Sequence, residues 1–228
     1  MTIHNFIKGW VGEAMGAAAH YLFLDKDVYT SLNNVTLQAR GGTTQIDHVI
    51  ISKYGIFVVE AKNIDGWIFG DEKSPQWSIV KVGRKYPIQN PLHQNFRHTK
   101  AISEFLNIDQ DKIHPLVMFW GKCEFKTKMP PNVLRDGYTN YIKSFVQAQF
   151  SDKQVLEIIE VLKTGRLPNT WATSKQHLVS LKERYSSKIT CPKCDEPLIL
   201  RTVKSGERAG SSFYGCSAYP RCKFTKSQ

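Results

Sequence analysis

The sequence predicts an α/β fold: a mixed central sheet flanked by helices, followed by a small cysteine-anchored module. Three observations carry this. Thr44 to Lys62 reads as two β-branched strands around a Tyr54-Gly55 turn. Ile113 to Trp120 is a near-continuous apolar run, as expected of a strand buried on both faces and central or parallel in its sheet. Around these runs lie segments with apolar residues at helical spacing.

Taken in order, Asn5 to Leu24 is expected to be a helix. Phe6, Trp10, Met15, Ala18, Tyr21 and Leu22 form its stripe, and Glu13 sits in the middle. Val28 to Gln38 is the first strand, bent at Leu32-Asn33-Asn34, and Arg40-Gly41-Gly42 turns the chain into the hairpin. Gly66 to Gly70 holds a short strand, and Trp77 to Val82 another. The basic turn Gly83-Arg84-Lys85 follows, either a solvated hairpin tip or a phosphate contact.

Asn90 is placed to cap a second helix, with Pro91 in its first turn. Leu92, Phe96, Ile102, Phe105 and Leu106 are its buried stripe, and Arg97, His98 and Lys100 face phosphates or water. Cys123 reads as a buried structural thiol, and Phe125 to Tyr138 as irregular. Asp152 to Leu162 is a helix, with Val155, Ile158, Ile159 and Leu162 inward. Thr173 to Tyr185 is the last helix, and its Lys182, Glu183 and Arg184 read as a solvated face. Ser186 to Lys188 is a short linker. The chain therefore divides into residues 1–187, with core motifs at 12–94 and a helical part at 140–187, and residues 188–228.

At 228 residues the chain can bury a sizeable core beside one small module. The net charge of +11 and pI near 9.4 favour a polyanionic partner. No apolar run of about 18 residues occurs, so no membrane span is expected. The first residues lack the charged-then-apolar order of a secretory signal. Cysteines are few and clustered, which favours a reducing cytoplasm and metal over disulfides.

The hairpin also carries chemistry. Asp47 interrupts its first strand, Glu60 ends the second, and Lys62 follows at i+2. Alternation points Glu60 and Lys62 to one face, and pairing of the strands sets Asp47 beside Glu60. A divalent cation would offset the repulsion between the two carboxylates. His48 points to the face opposite Asp47, so it reads as packed or hydrogen-bonded rather than as a ligand.

Asp followed at a distance by Glu-x-Lys resembles the PD-(D/E)xK nuclease superfamily. Gly12-Glu13, Gln45-Ile46-Asp47-His48, Gly55 to Asn63, Gly66, Trp77 and Asn90 to Gln94 resemble, in that order, the nuclease-related domain. The resemblance implies a restriction-endonuclease-like sheet and metal-dependent hydrolysis of DNA phosphodiesters. It implies Asp47 and Glu60 on Mg²⁺ or Mn²⁺, Lys62 orienting water or neutralising developing charge, and Glu13 and Gln94 as further members of the site. A non-catalytic DNA-binding or adaptor protein that kept the fold, and a nuclease acting on RNA, are the alternatives.

At the other end, Cys191-x-x-Cys194 and Cys216-x₅-Cys222 are two tight thiolate pairs about twenty residues apart, a spacing suited to tetrahedral Zn²⁺. So small a unit draws its folding energy from the metal. Pro197-Leu198, Arg201, Phe213 to Ser217 and Tyr219 to Cys222 resemble the zinc ribbons of bacterial type I topoisomerases, which implies binding of single-stranded DNA. Arg201, Lys204, Arg208 and Arg221 supply charge. Tyr219 and Phe224 are candidate stacking faces; one or two of the aromatics pack the small core, and Tyr219 or Phe224 is the one expected to be exposed.

Overall fold

The structure is a computed structural model that describes residues 24–187 and 189–227; all of the first expected helix except its last residue, Leu24, lies outside them, Glu13 included. A five-stranded sheet has the order β1 (Thr30–Ala39), β2 (Gly42–Ser52), β3 (Gly55–Asn63), β7 (Ile113–Trp120), β9 (Val133–Leu134). Its first three strands are antiparallel, and β3, β7 and β9 run parallel, so the sheet is mixed. A second sheet has the order β6 (Arg84–Gln89), β5 (Gln76–Lys81), β4 (Gly66–Phe69), β8 (Cys123–Phe125).

Both faces of β2 and β3 are covered. Val49, Ile51, Ile56 and Val58 pack with Ile102 of α1 (Pro91–Leu106) and with Ile158, Ile159 and Leu162 of α3 (Asp152–Gly165). Ile50, Phe57 and Val59 pack on the other side with Leu116, Met118 and Ile142 of α2 (Tyr138–Lys143). Each such side chain contributes about 1.5–3 kcal/mol on burial, which fixes the strand register. Trp77 stacks on Phe119 and joins the second sheet to the first.

The helices begin where the sequence supplies caps. The Asn90 side chain accepts from Leu92 N at 3.0 Å. Ser151 and Gln154 form a capping box ahead of α3. Thr170 caps α4 (Trp171–Ser186), which starts two residues earlier than the apolar pattern alone suggests. The expected bend in β1 has a local cause: Asn34 is left-handed at φ 51° and drops out of the ladder between Asn33↔His48 and Val35↔Ile46. Among the described residues no helix is long and apolar enough to cross a membrane.

Two sequence readings need correction here. Arg84 and Lys85 do not form the turn; Val82-Gly83 turn the chain, and both basic residues open β6, paired with Lys81 and Val80. The stretch 125–138 is not wholly irregular, because Val133 and Leu134 pair with β7 and Tyr138 starts α2. The C-terminal unit is a three-stranded antiparallel sheet of β10 (Leu198–Thr202), β11 (Ser212–Cys216) and β12 (Thr225–Ser227).

Candidate functional site

The β2–β3 ladder ends at His48↔Val59. Beyond it β3 continues against β7 alone, through Glu60↔Val117 to Asn63↔Trp120. The register carries Asp47 opposite Glu60, and the two strands fork there. Asp47 closes the fork: its Oδ2 accepts from Ala61 N at 2.8 Å. Glu60 and Lys62 share a face of β3, and the Lys62 ammonium donates to Glu60 Oε1. Lys62 Nζ also donates to Gln94 Oε1 at 3.0 Å, from the first turn of α1. The structure thus brings Asp47, Glu60, Lys62 and Gln94 to one place.

Helix α1 supplies a further group, one expected from the sequence to face phosphates or water and instead turned inward. His98 is buried, with Nε2 3.1 Å from Glu60 Oε2 and Nδ1 2.8 Å from Thr44 Oγ1. Its spacing from Gln94 carried the signal, since residues four apart on a helix share a face. Asn95 fastens the helix to the strands below by donating to the Val58 and Leu116 carbonyls, at 2.9 Å each.

Electrostatics follow from burial. Glu60 is 1 % exposed, and burial pushes its pKa up. The Lys62 charge and the His98 contact outweigh that and hold it at about 2. Burial lowers His98 against the pull of Glu60, so the ring is neutral. Nε2–H then donates to Glu60, and Nδ1 accepts from the Thr44 hydroxyl. His48 is buried on Asn33 Oδ1 at 2.9 Å, with its pKa pressed down to about 4 by burial against the Glu60 charge.

The four sulfurs Cys191, Cys194, Cys216 and Cys222 lie within 4.8 Å of one another, all buried. Cys191–Cys222 is 3.8 Å and Cys194–Cys216 3.3 Å. Sulfurs at the corners of a tetrahedral zinc site with bonds of about 2.3 Å stand about 3.8 Å apart, so the set fits zinc. Packed together, the thiols compete for charge: hydrogen bonds with Cys194 and Cys222 push Cys191 far up, whereas those from Cys191 and Cys194 pull Cys222 down. A divalent cation resolves that competition by taking four thiolates.

Comparison with known proteins matches both parts of the chain. Residues 8–120 match the nuclease-related domain. A protein of Bacillus anthracis, described only as uncharacterized, is 33 % identical over 193 residues, covering 81 % of this chain and 90 % of its own length. The chain belongs to the nuclease-related domain family. Residues 188–228 match the topoisomerase DNA binding C4 zinc finger. DNA topoisomerase 1 of Mycoplasma genitalium is 40 % identical over 45 residues, which is 20 % of this chain and 6 % of the topoisomerase. No solved structure matches the chain.

In this family member the ribbon is docked on the nuclease-related domain, and the docking overturns the solvated-face reading of several charges. Arg97 is buried, with Nη1 donating to the Pro192 carbonyl at 2.8 Å. Lys100 Nζ donates to the Cys194 carbonyl at 2.9 Å and pairs with Glu196 at 3.0 Å. Arg184 is buried as well, pairing with Asp195 and donating to the Thr43 carbonyl at 3.2 Å. Lys182 and Glu183 are exposed as expected. Gly42, at φ 122°, lets the β1–β2 turn approach Ser180 more closely than a Cβ allows.

The remaining predicted contact residues stand apart from the carboxylates. Arg84 and Lys85 are exposed on the β5–β6 hairpin, and Lys204 and Arg208 on the β10–β11 loop. Arg221 is exposed on the second knuckle. Tyr219 is 62 % exposed, with the Arg201 guanidinium 5.8 Å over its ring. Phe224 is not exposed: at 7 % it packs in the ribbon core, its ring 6.4 Å from that of His93. A module this small has few apolar side chains, and Phe224 is needed to close it.

Proposed function

We propose that this protein is a metal-dependent nuclease that hydrolyses DNA phosphodiester bonds, and that its zinc ribbon binds DNA in single-stranded form. The observation that carries the reading is Lys62, held between Glu60 and Gln94 beside Asp47. Asp47 and Glu60 are oxygen donors suited to Mg²⁺ or Mn²⁺, and Glu60 is ionised at any physiological pH. The bound cation supplies a polarised phosphate and a more acidic water. Lys62 places a positive charge where negative charge develops on the scissile phosphate. Gln94 fixes the ammonium, and His98 fixes the Glu60 carboxylate. The net charge of +11 favours a nucleic-acid partner, and the match to a DNA-binding zinc finger supports assigning DNA contact to the ribbon.

The test is cleavage of linear, circular and single-stranded DNA, with an RNA of matched sequence, in Mg²⁺ or Mn²⁺ against EDTA. Metal-dependent cutting of DNA that is lost in Lys62→Ala and Asp47→Ala, with DNA binding retained, is the expected result. Cutting retained by both variants overturns the assignment.

One observation favours a second reading, a non-catalytic DNA-binding protein. Both Glu60 oxygens already have partners, Lys62 and His98, so the buried charge is compensated within the chain. Tight DNA binding with intact substrate in both metals would select it.

A further inference from the structure

A groove of about 610 Å³ runs between the nuclease-related domain and the ribbon. One wall holds Gln76 and Gln89, paired at the base of the β5–β6 hairpin, and His93 of α1; the other holds Lys193 of the first knuckle and the strand containing Thr225 and Lys226. Among the described residues that line it, none is acidic. β6 and β12 are each the outermost strand of their sheets, so both walls present strand edges.

The groove has fixed walls. Arg97 and Lys100 hold the knuckle backbone on either side of Lys193, at Pro192 and Cys194. The Lys193 ammonium sits 5.0 Å over the Phe96 ring, and Phe224 meets His93 edge to face. β6 links the exposed Arg84 and Lys85 to Gln89 at the groove, and α1 then begins. His93 and Gln94 are successive residues of its first turn, one facing the ribbon and the other Lys62.

We propose that this groove is a binding track for single-stranded nucleic acid, leading from the β5–β6 hairpin past the start of α1 to the carboxylate site. Lys193 and Lys226 contact phosphates, and the Gln76 and Gln89 amides meet base edges. The volume is that of a small-ligand pocket, about 300–1,000 Å³, which suits one extended strand better than a duplex. The proposal rests on the DNA-binding part of the reading above and not on catalysis. In it the ribbon is a fixed wall of the track rather than a tethered hand.

The test is fluorescence anisotropy of a labelled oligothymidylate of about 15 nucleotides, without added divalent cation, across a salt series. The Lys62→Ala chain serves as background, so cutting does not enter. Lys193→Glu/Lys226→Glu is compared with Lys153→Glu on the exposed face of α3. Because Lys193 lies between two cysteines, Gln89→Glu/Lys226→Glu is measured as well, and bound zinc is counted in each. Each phosphate contact contributes about 0.7 to the salt slope for single strands, so losing two lowers it by about 1.4. The expected result is that loss in the first variant, with weaker binding in both groove variants, zinc retained, and Lys153→Glu unchanged. Wild-type affinity and slope in both groove variants overturn the track, as does a slope that falls only on substitution of Arg201 and Tyr219 on the outer ribbon face. An extended peptide as the true occupant gives that same wild-type result. Absence of cleavage by the wild-type chain in Mg²⁺ or Mn²⁺, alongside the expected binding pattern, defeats the nuclease reading and leaves the track standing.

Discussion

Arg184 Nε and Asp195 Oδ1 are 2.9 Å apart, with 1 % and 6 % of their side chains exposed, and they join the last helix to the first zinc knuckle. Burial raises the Asp195 pKa, and the Arg184 charge opposes it. Removing one charge of such a pair costs about 3–5 kcal/mol, mostly because the other is left buried alone. Asp195 is left-handed at φ 59°, so Asn is the substitution that keeps the backbone. Asp195→Asn is expected to lose stability of that order in urea denaturation. Arg184→Gln/Asp195→Asn, lacking both charges, is expected to lose less than the sum of the single variants. An additive double-mutant cycle would contradict the pairing.

Zinc removal is expected to reach the nuclease-related domain. The knuckle backbone at Pro192 and Cys194 receives Arg97 and Lys100, and its fold depends on the metal. Heating the protein with a zinc chelator should shift a single cooperative transition downward, as should Cys191→Ser/Cys194→Ser. A separate upper transition that chelator does not move would show that the domain ignores the ribbon.

His98 is expected to act as a positioning residue. It touches Glu60 and Thr44 and nothing that reacts. Loss of such an outer partner commonly costs about 10–100-fold in metal affinity. His98→Ala should weaken Mn²⁺ binding by that factor, read from the electron spin resonance of free Mn²⁺, with the far-ultraviolet dichroism of the fold retained.

Stability is expected to fall with acid well before the carboxylates titrate. His177 lies 3.2 Å from Thr43 Oγ1, and burial together with Arg184 lowers its pKa from 6.5 to about 4. The unfolded chain therefore binds this proton first. The stabilisation is complete above pH 6.5 and is lost as pH falls toward 4, with a slope of up to about 1.36 kcal/mol per pH unit. Glu60, held at about 2 against an ordinary 4.5, loses its contribution only between pH 4.5 and 2. Burial depresses His48 in the same way, so His177→Asn should reduce the slope of denaturation free energy against pH between 6.5 and 4 by up to about 1.36 kcal/mol per pH unit without abolishing it; an unchanged slope would falsify the assignment.

The hairpin was legible because its physics is local. β-branched alternation sets two strands, a two-residue Lys53-Tyr54 turn, one residue earlier than the expected Tyr54-Gly55, sets their register, and the register sets Asp47 opposite Glu60. The start of α1 was legible for the same reason, through Asn90 and Pro91. What the sequence concealed depends on partners far along the chain. Arg97 meets Pro192 across 95 residues, and Arg184 meets Thr43 across 141. On their own helices these charges look solvated, since helical periodicity reports which face is apolar and not which polar face finds a distant partner. Phe224 misled in the opposite sense: an aromatic near the end of a basic tail suggests stacking, but the ribbon needs it as core.

The docking latch bears on how portable the C-terminal module is. Cys-x-x-Cys ribbons look like interchangeable cassettes, to be fused to any host for its grip on nucleic acid. Here the host has reshaped itself around the cassette: the β1–β2 turn, α1 and α4 each commit a cation to it. A chain cut after residue 187 would leave two guanidiniums built for an interior facing solvent, and a ribbon grafted from elsewhere would need Asp195 and Glu196 in register to be accepted. The two pieces are in that sense a single inheritable unit, in which a change at one surface calls for a matching change on the other.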